Sequence, residues 1–387
     1  MSAIVRLSPR GEERLRRGHA WIYRSDLASA EAEPGDLVTV VGPRGRQLGT
    51  ALFSDRSQIA LRMLTRGEED ADADLWRRRL EQAVRFRSSL DLDASAYRVV
   101  HGEGDRLPGL VVDRYDRWLV VQALVQGTDR RLPELTELLV ERLQPEGILA
   151  RNDARVRLLE GLERNVRELY GTVPETVAVH EDGIRYEADL RRGQKTGLFL
   201  DQRENRAAAA QYAAGRLLDC FSYNGGFALR LAGRCHEIIA LDVSADAAAR
   251  IRRNASLNGV SHIEAREANV FDELRTFERR GERFDTIVLD PPAFAKNKSA
   301  VPKALAGYKE INLRALRILN TGGVLVTCSC SYNVSDELFL DVLRDAAIDA
   351  RAEVSIVERR TQGRDHPVLL GVPETGYLKC VILRKLA

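Results

Sequence analysis

The feature that most constrains the fold is an alternation of apolar and amphipathic runs from about residue 195 onward. The apolar runs "RLLDCFS", "EIIALDVS", "FDTIVLDPP" and "GVLVTCSCS" are typical of strands. Between them, "GGFALRLAG", "ADAAARIRRNASLNG" and "KEINLRALRILNTGG" are typical of helices. This alternation predicts an α/β fold, in which a mostly parallel sheet is covered by helices on both faces. Ligands of such sheets bind beyond the carboxyl ends of the strands, so informative residues are expected there.

The rest of the chain predicts two further domains before this one. Residues 1–70 contain three short β-like runs separated by Gly/Pro turns, "DLVTVVG", "QLGTALF" and "QIALRML", and predict a small, mostly β domain. Residues 74–178 mix helical and strand-like runs and predict an α+β middle domain. In its first helix, the apolar residues expected to make contacts are Leu75, Leu80, Val84 and Phe86. The α/β domain then covers residues 179–387, and "HEDGIRYEADL" predicts a hairpin at its start.

Composition limits the class of protein. The chain has 387 residues with 44% hydrophobic and 30% charged residues, as expected for a soluble globular protein of two or three domains. No uninterrupted apolar stretch approaches the ~20 residues of a membrane span, and the N-terminus lacks the apolar core of a signal peptide. We therefore expect a cytoplasmic location without membrane association.

Basic residues are concentrated near the N-terminus. Residues 1–66 contain 11 Arg against 7 acidic residues, a net charge of +4, although the whole chain carries only +2. Such a cluster can attract the phosphate backbone of a nucleic acid. Because Glu12 and Glu13 are interleaved with the arginines, a solvated surface explains the charge alone equally well.

The five cysteines do not form a recognisable framework. Their number is odd and they are scattered, which argues against disulfides. The Cys328-x-Cys330 spacing is not that of a zinc or redox site, and no second pair lies nearby in the sequence, so no metal is expected. Packing roles are expected for Cys220, Cys235 and Cys380.

The first two strand ends indicate a nucleoside-containing cofactor. Gly225 and Gly226 begin a helix, where small residues let the backbone approach a ligand closely. Asp242 ends the next strand, 17 positions after Gly225, where a carboxylate can accept both hydroxyls of a ribose. A nicotinamide dinucleotide and S-adenosylmethionine both contain a ribose. The absence of G-x-G-x-x-G favours S-adenosylmethionine, which has no pyrophosphate.

The loop that ends the following strand is the most specific motif. Asp290, Pro291 and Pro292 stop the strand and form a stiff loop, because proline cannot donate to a β-ladder. Such a loop suits a flat ring held beside a reactive methyl group. Phe294 is expected to stack on a base, an interaction worth ~1–3 kcal/mol. Lys296 follows and is a candidate for a phosphate contact, although it is equally ordinary as a surface lysine.

Several motifs in order resemble one protein family. "GHAWIYRSDL", "GEGDRLPGLVVDRY", "KTGLFLDQRENR", "LDCFSYNGGFAL", "FDTIVLDPPAFAKNKS", "GYKEINLRAL", "CSCS" and "DHPVLLGVPETGYLK" look like the RlmI-type bacterial methyltransferases. The resemblance covers nearly the whole chain. It implies a PUA-like RNA-binding domain, a middle domain and a Rossmann-like class I methyltransferase domain. It also implies S-adenosyl-L-methionine as cofactor, S-adenosyl-L-homocysteine as product, and large-subunit ribosomal RNA as partner.

The resemblance further implies roles for individual residues. The residues expected around the cofactor are Phe199, Asp201, Gln202, Arg203, Asp219, Ser222, Tyr223, Asn224, Gly225, Asp242, Asn269 and Asp290. Among them, Arg203 is expected to pair with the methionine carboxylate and Asp242 with the ribose. Many relatives carry Asp at the position of Asn269, whose amide oxygen can still accept a hydrogen bond from the adenine amino group.

The family reaction explains why a cysteine is needed. Carbon 5 of a cytosine becomes nucleophilic only when a thiolate adds to carbon 6, a form of covalent catalysis. Cys330 lies at the strand end and matches the family nucleophile. Cys328 lies deeper in the apolar run, where packing is expected. Asp290 is expected to contact the base or assist proton transfer. The Pro-Pro loop contains no second cysteine, so the sequence does not identify the group that removes the carbon-5 proton.

Two other functions remain possible from the sequence. An amine or guanine methyltransferase on the same scaffold would need the Asp-Pro-Pro loop but no cysteine nucleophile. A non-catalytic RNA-binding protein would not bind the cofactor. The modified nucleotide and the oligomeric state, including a possible homodimer, are not specified by the sequence.

Overall fold

Two compact units make up the chain. The structure, a computed structural model, describes residues 3–69, 71–295 and 297–387. The first unit comprises the described residues up to Val179 together with Ala188–Leu200 and Arg364–Thr375. The second unit comprises His180–Glu187, Asp201–Gly363 and Gly376–Ala387. The predicted domains 1–70 and 74–178 thus fall within one unit, and their boundaries stay a prediction.

The N-terminal part of the first unit is a six-stranded sheet with one helix. Its elements are β1 Ala3–Leu7, α1 Pro9–Arg16, β2 Trp21–Tyr23, β3 Leu27–Ala30, β4 Leu37–Val41, β5 Gln47–Phe53 and β6 Ile59–Met63. The strand order is β2-β6-β5-β4-β1-β3, and only β1 and β4 pair in parallel. The three strands expected from the β-like runs are β4, β5 and β6.

The second part of the first unit is a five-stranded sheet packed with helices. Its elements are α2 Ala73–Ser88, β7 Ala96–His101, β8 Leu110–Tyr115, β9 Trp118–Ala123, α3 Gln126–Arg130, α4 Leu132–Leu143, β10 Gly147–Asn152 and β11 Asn165–Gly171. The strand order is β11-β10-β9-β8-β7. Leu52 and Leu64 of the N-terminal part belong to the same apolar core as Leu75 and Trp76 of α2. This shared core explains why both parts fold as one unit.

The buried face of helix α2 differs from the sequence prediction at one residue. Leu75 and Leu80 are buried as expected, and Val84 is partly buried. Phe86 is 38% exposed, so the prediction that it contacts the core was wrong. Trp76 and Ala83 complete the buried face instead. Phe86 lies between the buried Ala83 and Arg87 in the sequence but outside the row of residues that α2 buries.

A buried ion pair crosses the sheet of the first unit. Arg98 on β7 donates from Nε and Nη2 to the two carboxylate oxygens of Asp113 on β8, at 2.8 and 2.9 Å. Thr196 Oγ1 donates to Asp113 Oδ2 at 2.6 Å. Asp113 has no exposed surface, so these donors compensate for hydrogen bonds to water that the carboxylate loses on folding.

The second unit is the predicted doubly wound α/β sheet. The hairpin strands β12 Thr176–Glu181 and β13 Ile184–Asp189 precede it. Its own elements are α5 Arg203–Tyr212, β14 Gly215–Cys220, α6 Gly226–Leu231, β15 Cys235–Asp242, α7 Ala245–Leu257, β16 Ile263–Glu267, α8 Val270–Arg280, β17 Phe284–Leu289, α9 Val301–Ile318, β18 Leu319–Ser329, α10 Asp336–Ala350, β19 Val354–Arg360 and β20 Lys379–Lys385. The sheet order is β16-β15-β14-β17-β18-β20-β19, in which β14 to β18 run parallel and β20 runs antiparallel.

The junction between α9 and β18 corrects the sequence prediction. The run "LNTGG" was expected to end the helix, but α9 ends at Ile318 and the strand begins at Leu319. Gly322 has a φ of +81° and lies inside the strand, where the pairing of β18 with β17 shifts register. The helix also begins at Val301, well before the predicted start at residue 309. Several other elements were not predicted, among them strands β11, β16 and β19 and helices α8 and α10. Strand β11 is largely exposed and β16 is only partly buried, and both carry charged residues, so neither shows the apolar run of a buried strand.

Among the described residues, no helix combines the length and the apolar character that crossing a bilayer requires.

Removal of the Arg98 guanidinium should destabilise the first unit strongly. In Arg98→Met, the Asp113 carboxylate stays buried without its main partner, and we expect a loss of about 3–5 kcal/mol in the free energy of unfolding. Urea denaturation measures the loss. Arg344→Met, which removes an exposed pair with Asp341, is the control and should unfold like the wild type. Equal stability of Arg98→Met and this control would contradict the prediction.

Candidate functional site

The carboxyl ends of four adjacent parallel strands form the site. In the order β15-β14-β17-β18, these ends carry Asp242, the loop after Cys220, Asp290 and Cys330. The register pairs Cys220 with Leu241 on one side and with Leu289 on the other, so the strands end level. Strand β14 lies where the direction of winding reverses, which is the position at which such sheets bind ligands.

The loop that follows β14 adopts an unusual backbone. Phe221 and Tyr223 have φ angles of +63° and +52°, a region that costs non-glycine residues about 1–3 kcal/mol each. Gly225 follows at φ +81° and is the N-cap of α6. The Tyr223 N–H donates to Asp242 Oδ2 at 2.9 Å, and Asn254 donates to the Asn224 carbonyl at 2.9 Å. These bonds hold the strained loop against the end of the neighbouring strand.

Asp219 is a buried carboxyl with one satisfied oxygen. Its Oδ2 accepts from Ser222 Oγ at 2.5 Å and from the Ala228 N–H at 3.0 Å. Within the described part of the chain, Oδ1 is buried and accepts no hydrogen bond. Burial raises the pKa of Asp219 from its usual 3.8 to about 7, against the lowering by those two donors, and the negative charges of Asp290 and Asp242 raise it further.

Asp242 and Asn269 lie at the ends of neighbouring strands and use their side chains for backbone contacts. Asp242 Oδ1 accepts from the Ser244 N–H at 3.0 Å, which fixes the carboxylate in the plane of the loop. Asn269 caps α8, where its Oδ1 accepts from the Phe271 N–H at 2.9 Å. A carbonyl oxygen has two lone pairs, so Oδ1 can accept a second hydrogen bond. The adenine contact of Asn269 stays a prediction.

Asp290 begins the Pro-Pro loop and is held from α5. Gln202, the N-cap residue of α5, donates from Nε2 to Asp290 Oδ1 at 2.9 Å. The Asp290 N–H points to the Cys220 carbonyl at 3.4 Å. Asp290 is half-buried, Pro291 is buried and Pro292 is exposed. Sequence reasoning assigned Gln202 to the cofactor, and its direct bond to Asp290 was not foreseen.

Cys330 lies one residue beyond β18 in a turn held by hydroxyl groups. Ser329 Oγ donates to Tyr308 Oη at 3.0 Å, and the same Oη lies 2.9 Å from Ser331 Oγ. Ser331 Oγ also accepts from the Ala295 N–H at 3.1 Å, which joins this turn to the Pro-Pro loop. The serines on both sides of Cys330 are therefore its anchors, which explains the "SCS" alternation.

The Cys330 thiol faces the Pro-Pro loop and stands near a buried cation. Its Sγ is 3.8 Å from the Pro291 carbonyl oxygen. Lys379 Nζ donates to the carbonyls of Ser331 and Val334, at 3.0 and 2.7 Å, and interacts electrostatically with Cys330. Burial lowers the pKa of Lys379, because the interior disfavours the ammonium form. The ammonium group thus braces the turn that carries the thiol.

Cys328 lies in a different environment from Cys330. It is fully buried within β18 and pairs in register with Cys380 of β20. The hydrogen bond with Cys380, together with burial, raises the pKa of the Cys328 thiol well above its usual value. Cys330 is half-buried. The two thiols differ in depth as the sequence predicted, while the nucleophile assignment itself stays a prediction.

Phe294 packs into the second unit. Its ring lies 4.7 Å from Tyr308, 6.1 Å from Phe271 and 6.5 Å from Phe221, measured between centroids. It is partly buried, so stacking on a base, which stays a prediction, would use the remaining face of the ring. The prediction for Lys296 lies outside the described residues.

The segment expected at the methionine end of the cofactor divides between the two units. Phe199 belongs to the first unit, where the Lys195 Nζ lies 4.5 Å from its ring centroid. Asp201 and Arg203 belong to the second unit and are buried. Tyr377 Oη donates to Asp201 Oδ2 at 2.6 Å. The cofactor contacts of all three residues stay predictions.

Gly226 has a packing reason that the sequence did not reveal. A Cβ at Gly226 would lie 3.1 Å from Arg206 Cδ. Arg206 in turn forms a buried pair with Glu181, in which Nε donates to Oε1 at 2.9 Å. In this structure the close approach at Gly226 is made by Arg206, while the expectation that the Gly225–Gly226 backbone lets a ligand approach stays a prediction. Of the Gly225–Gly226 pair, Gly225 alone has the left-handed backbone.

The residues at this edge fit S-adenosylmethionine. Asp219 Oδ1 is buried and can accept a hydrogen bond from a ligand. Asp242 ends β15, in the position where a carboxylate can bind a ribose. Between them lies the loop that follows β14, in which Gly225 has a left-handed backbone. No group of three or more His, Cys, Asp or Glu residues with metal-binding geometry occurs among residues 3–69, 71–295 and 297–387.

Comparison with known proteins gives consistent matches over the chain. The family model described as S-adenosylmethionine-dependent methyltransferase matches residues 98–384, and a PUA-like domain model matches residues 5–66. A protein of Tolumonas auensis is 42% identical over 99% of this chain and 100% of its own length. One of Erwinia tasmaniensis is 40% identical over 98% of both. Both carry the name ribosomal RNA large subunit methyltransferase I.

Solved structures share the fold. A protein of Streptococcus mutans, described as a SAM-dependent methyltransferase, superposes with a TM-score of 0.84 at 19% identity over 99% of both chains. A second methyltransferase, crystallised with SAH, gives a TM-score of 0.86 at 21% identity, again over 99% of both chains. The predicted fold, a PUA-like domain followed by an α/β methyltransferase domain, is confirmed, as is the predicted cofactor.

The buried Asp219 carboxyl should make stability depend on pH. Between pH 4 and 7 the folded chain keeps a proton that the unfolded chain has lost, so this group contributes stability that decreases as pH rises. The loss is on the order of 4 kcal/mol across that range. Asp219→Asn removes the titrating carboxyl and should abolish this dependence of the unfolding free energy on pH, as measured by urea denaturation. Ser222→Ala keeps the carboxyl and should keep the slope. An unchanged slope in Asp219→Asn would contradict the assignment.

Proposed function

We propose that this chain, which belongs to the S-adenosylmethionine-dependent methyltransferase family, methylates carbon 5 of a cytosine in large-subunit ribosomal RNA. The observation that carries the proposal is the half-buried Cys330, whose Sγ lies 3.8 Å from the Pro291 carbonyl beside the Asp-Pro-Pro loop. An exocyclic amine needs no thiolate to accept a methyl group. A cytosine carbon 5 does, because it lacks a lone pair of its own.

Ribosomal RNA is the substrate that the relatives suggest. Two relatives that match nearly all of the chain are named large subunit ribosomal RNA methyltransferases. The PUA-like match covers residues 5–66, the segment with a net charge of +4. We assign RNA docking to this segment, because a positive surface attracts the phosphate backbone without selecting a base. The chain would then act on RNA in the cytoplasm.

The cofactor supplies the methyl group, and the residues of the chain divide the remaining tasks. In this proposal Asp242 binds the ribose, and Asp219 accepts a hydrogen bond through its otherwise unused Oδ1. Arg203 pairs with the carboxylate of the cofactor. The other residues to which we assign cofactor contacts are Phe199, Asp201, Gln202, Ser222, Tyr223, Asn224, Gly225, Asn269 and Asp290.

The base binds between the Pro-Pro loop and the Cys330 turn. The Cys330 thiolate adds to carbon 6, which makes carbon 5 enamine-like and able to accept the methyl group. Loss of the carbon-5 proton then lets the carbon–sulfur bond break, which returns the thiolate. Asp290 contacts the base or takes part in the proton transfer. Lys379 favours the thiolate, because a buried cation close to a thiol stabilises its charged form.

The loop after Asp290 supplies the walls of the base pocket in this proposal. Pro291 and Pro292 keep the loop stiff, Phe294 offers an aromatic face, and Lys296 pairs with a phosphate. The anchoring of Ser331 Oγ by the Ala295 N–H favours this reading, because it keeps the thiol and the loop at a fixed separation.

Replacement of the two cysteines tests the mechanism. A strain that lacks the gene should lose one 5-methylcytosine from its large-subunit ribosomal RNA, as detected by mass mapping. Complementation with the wild type or with Cys328→Ala should restore the modification. Cys330→Ala should not restore it, because no thiolate can then add to carbon 6.

Two outcomes would contradict this function. Restoration by Cys330→Ala would point to a methyltransferase that acts on an exocyclic amine or a guanine. Unchanged ribosomal RNA, together with no binding of S-adenosylhomocysteine by the purified chain in calorimetry, would point to a non-catalytic RNA-binding protein. Cys328→Ala serves as the matched control in both experiments, because it removes a thiol two residues away on the same strand.

A further inference from the structure

Three hydrogen bonds in series connect the surface of the second unit with Asp290. Arg360 Nε on β19 donates to Asn205 Oδ1 at 3.0 Å. Asn205 Nδ2 donates to Gln202 Oε1 at 2.6 Å, and Gln202 Nε2 donates to Asp290 Oδ1 at 2.9 Å. Gln202 and Asn205 are 2% and 0% exposed. Because they are three residues apart at the start of α5, they lie on one face of the helix.

Arg360 fixes the orientation of the two side-chain amides in this series. A guanidinium can only donate hydrogen bonds, so Arg360 selects the oxygen of the Asn205 amide. The nitrogen of Asn205 is then turned toward Gln202 and selects its oxygen. The nitrogen of Gln202 is left for Asp290, which must accept. A reversal of either amide would place two donors or two acceptors face to face in a buried site.

We infer that Arg360, Asn205 and Gln202 are positioning residues that hold the Asp290 carboxyl in its ionised form with Oδ1 turned toward α5. The inference rests on the proposed function for what Asp290 does to the base. An ionised Asp290 can accept a proton or an N–H donor from a base, whereas a protonated one presents a donor. The series thus decides which partner the Asp-Pro-Pro loop recognises.

Other ionisable groups lie near Asp290. Two titratable groups that interact with it are Asp219 on β14 and Cys328 on β18, and Cys330 lies beside the neighbouring Pro291. A donor fixed on Oδ1 favours the ionised form of the Asp290 carboxyl, because a hydrogen bond donated to a carboxylate stabilises its charge.

Asn205→Asp reverses the series with a change of one atom. The new carboxylate cannot donate to Gln202, so Gln202 must turn its nitrogen toward it and its oxygen toward Asp290. Two acceptors then face each other unless Asp290 takes up a proton. The titration midpoint of Asp290 should therefore move to higher pH, as followed by carbon-13 NMR of labelled aspartate carboxyls and assigned from the signal missing in Asp290→Asn.

Three control variants separate reversal from charge and from structural damage. Gln211→Glu makes the same amide-to-carboxylate change at an exposed position on α5 and should leave the Asp290 titration unchanged. Asn205→Leu removes both bonds without reversing the amide of Gln202, so it should shift the midpoint less than Asn205→Asp. Arg360→Lys retains a cation that only donates and should keep the titration of the wild type.

The rate of methylation gives a second readout. In Asn205→Asp the acid limb of the pH–rate profile should move to higher pH, and the activity at pH 6 should fall about tenfold relative to that at pH 8.5. A structural defect would lower the rate equally at both pH values. If the wild type requires Cys330 but Asn205→Asp titrates and reacts like Gln211→Glu, the inference is wrong and the proposed function stands. If Cys330→Ala remains active, the proposed function is wrong, while the NMR titration still decides the inference.

Discussion

The parallel pairing of β14 with β15 and β17 is the constraint on which the site depends. Parallel strands bring their carboxyl ends to one edge, and the register of Cys220 with Leu241 and Leu289 makes those ends level. Residues that are far apart in the sequence, such as Asp219 and Asp290, thereby come within electrostatic reach. The same arrangement brings several acidic groups together, and the charges of Asp290 and Asp242 add to burial in raising the pKa of Asp219.

The architecture and the strand ends could be predicted because they depend on short-range patterns. Apolar strands, glycines at turns and the Asp-Pro-Pro stop are all visible in consecutive residues. The junction of α9 with β18 could not be predicted in the same way. The run "LNTGG" has neither a strong helical nor a strong strand pattern, and its pairing with β17 decides its conformation.

The supporting residues of the site could not be predicted for a related reason. Tyr308, Lys379 and Arg360 act through contacts with residues that are distant in the sequence, and no local spacing announces such contacts. Ser329 and Ser331 were visible beside Cys330, but their role depends on Tyr308 of helix α9, which is distant in the sequence. The sequence therefore indicates candidates for the chemistry, which stay predictions, but it does not indicate the groups that hold those candidates in place.

The left-handed backbone at Phe221 and Tyr223 has a consequence for how ligands bind. Neither residue is a glycine, so the unfolded chain visits this conformation rarely, and the loop is shaped mainly by the contacts it makes on folding. The conformational entropy of this loop is thus lost during folding and not at the moment of binding. Glycines at these two positions would relax the backbone, and the cofactor would then meet a loop that must first be ordered.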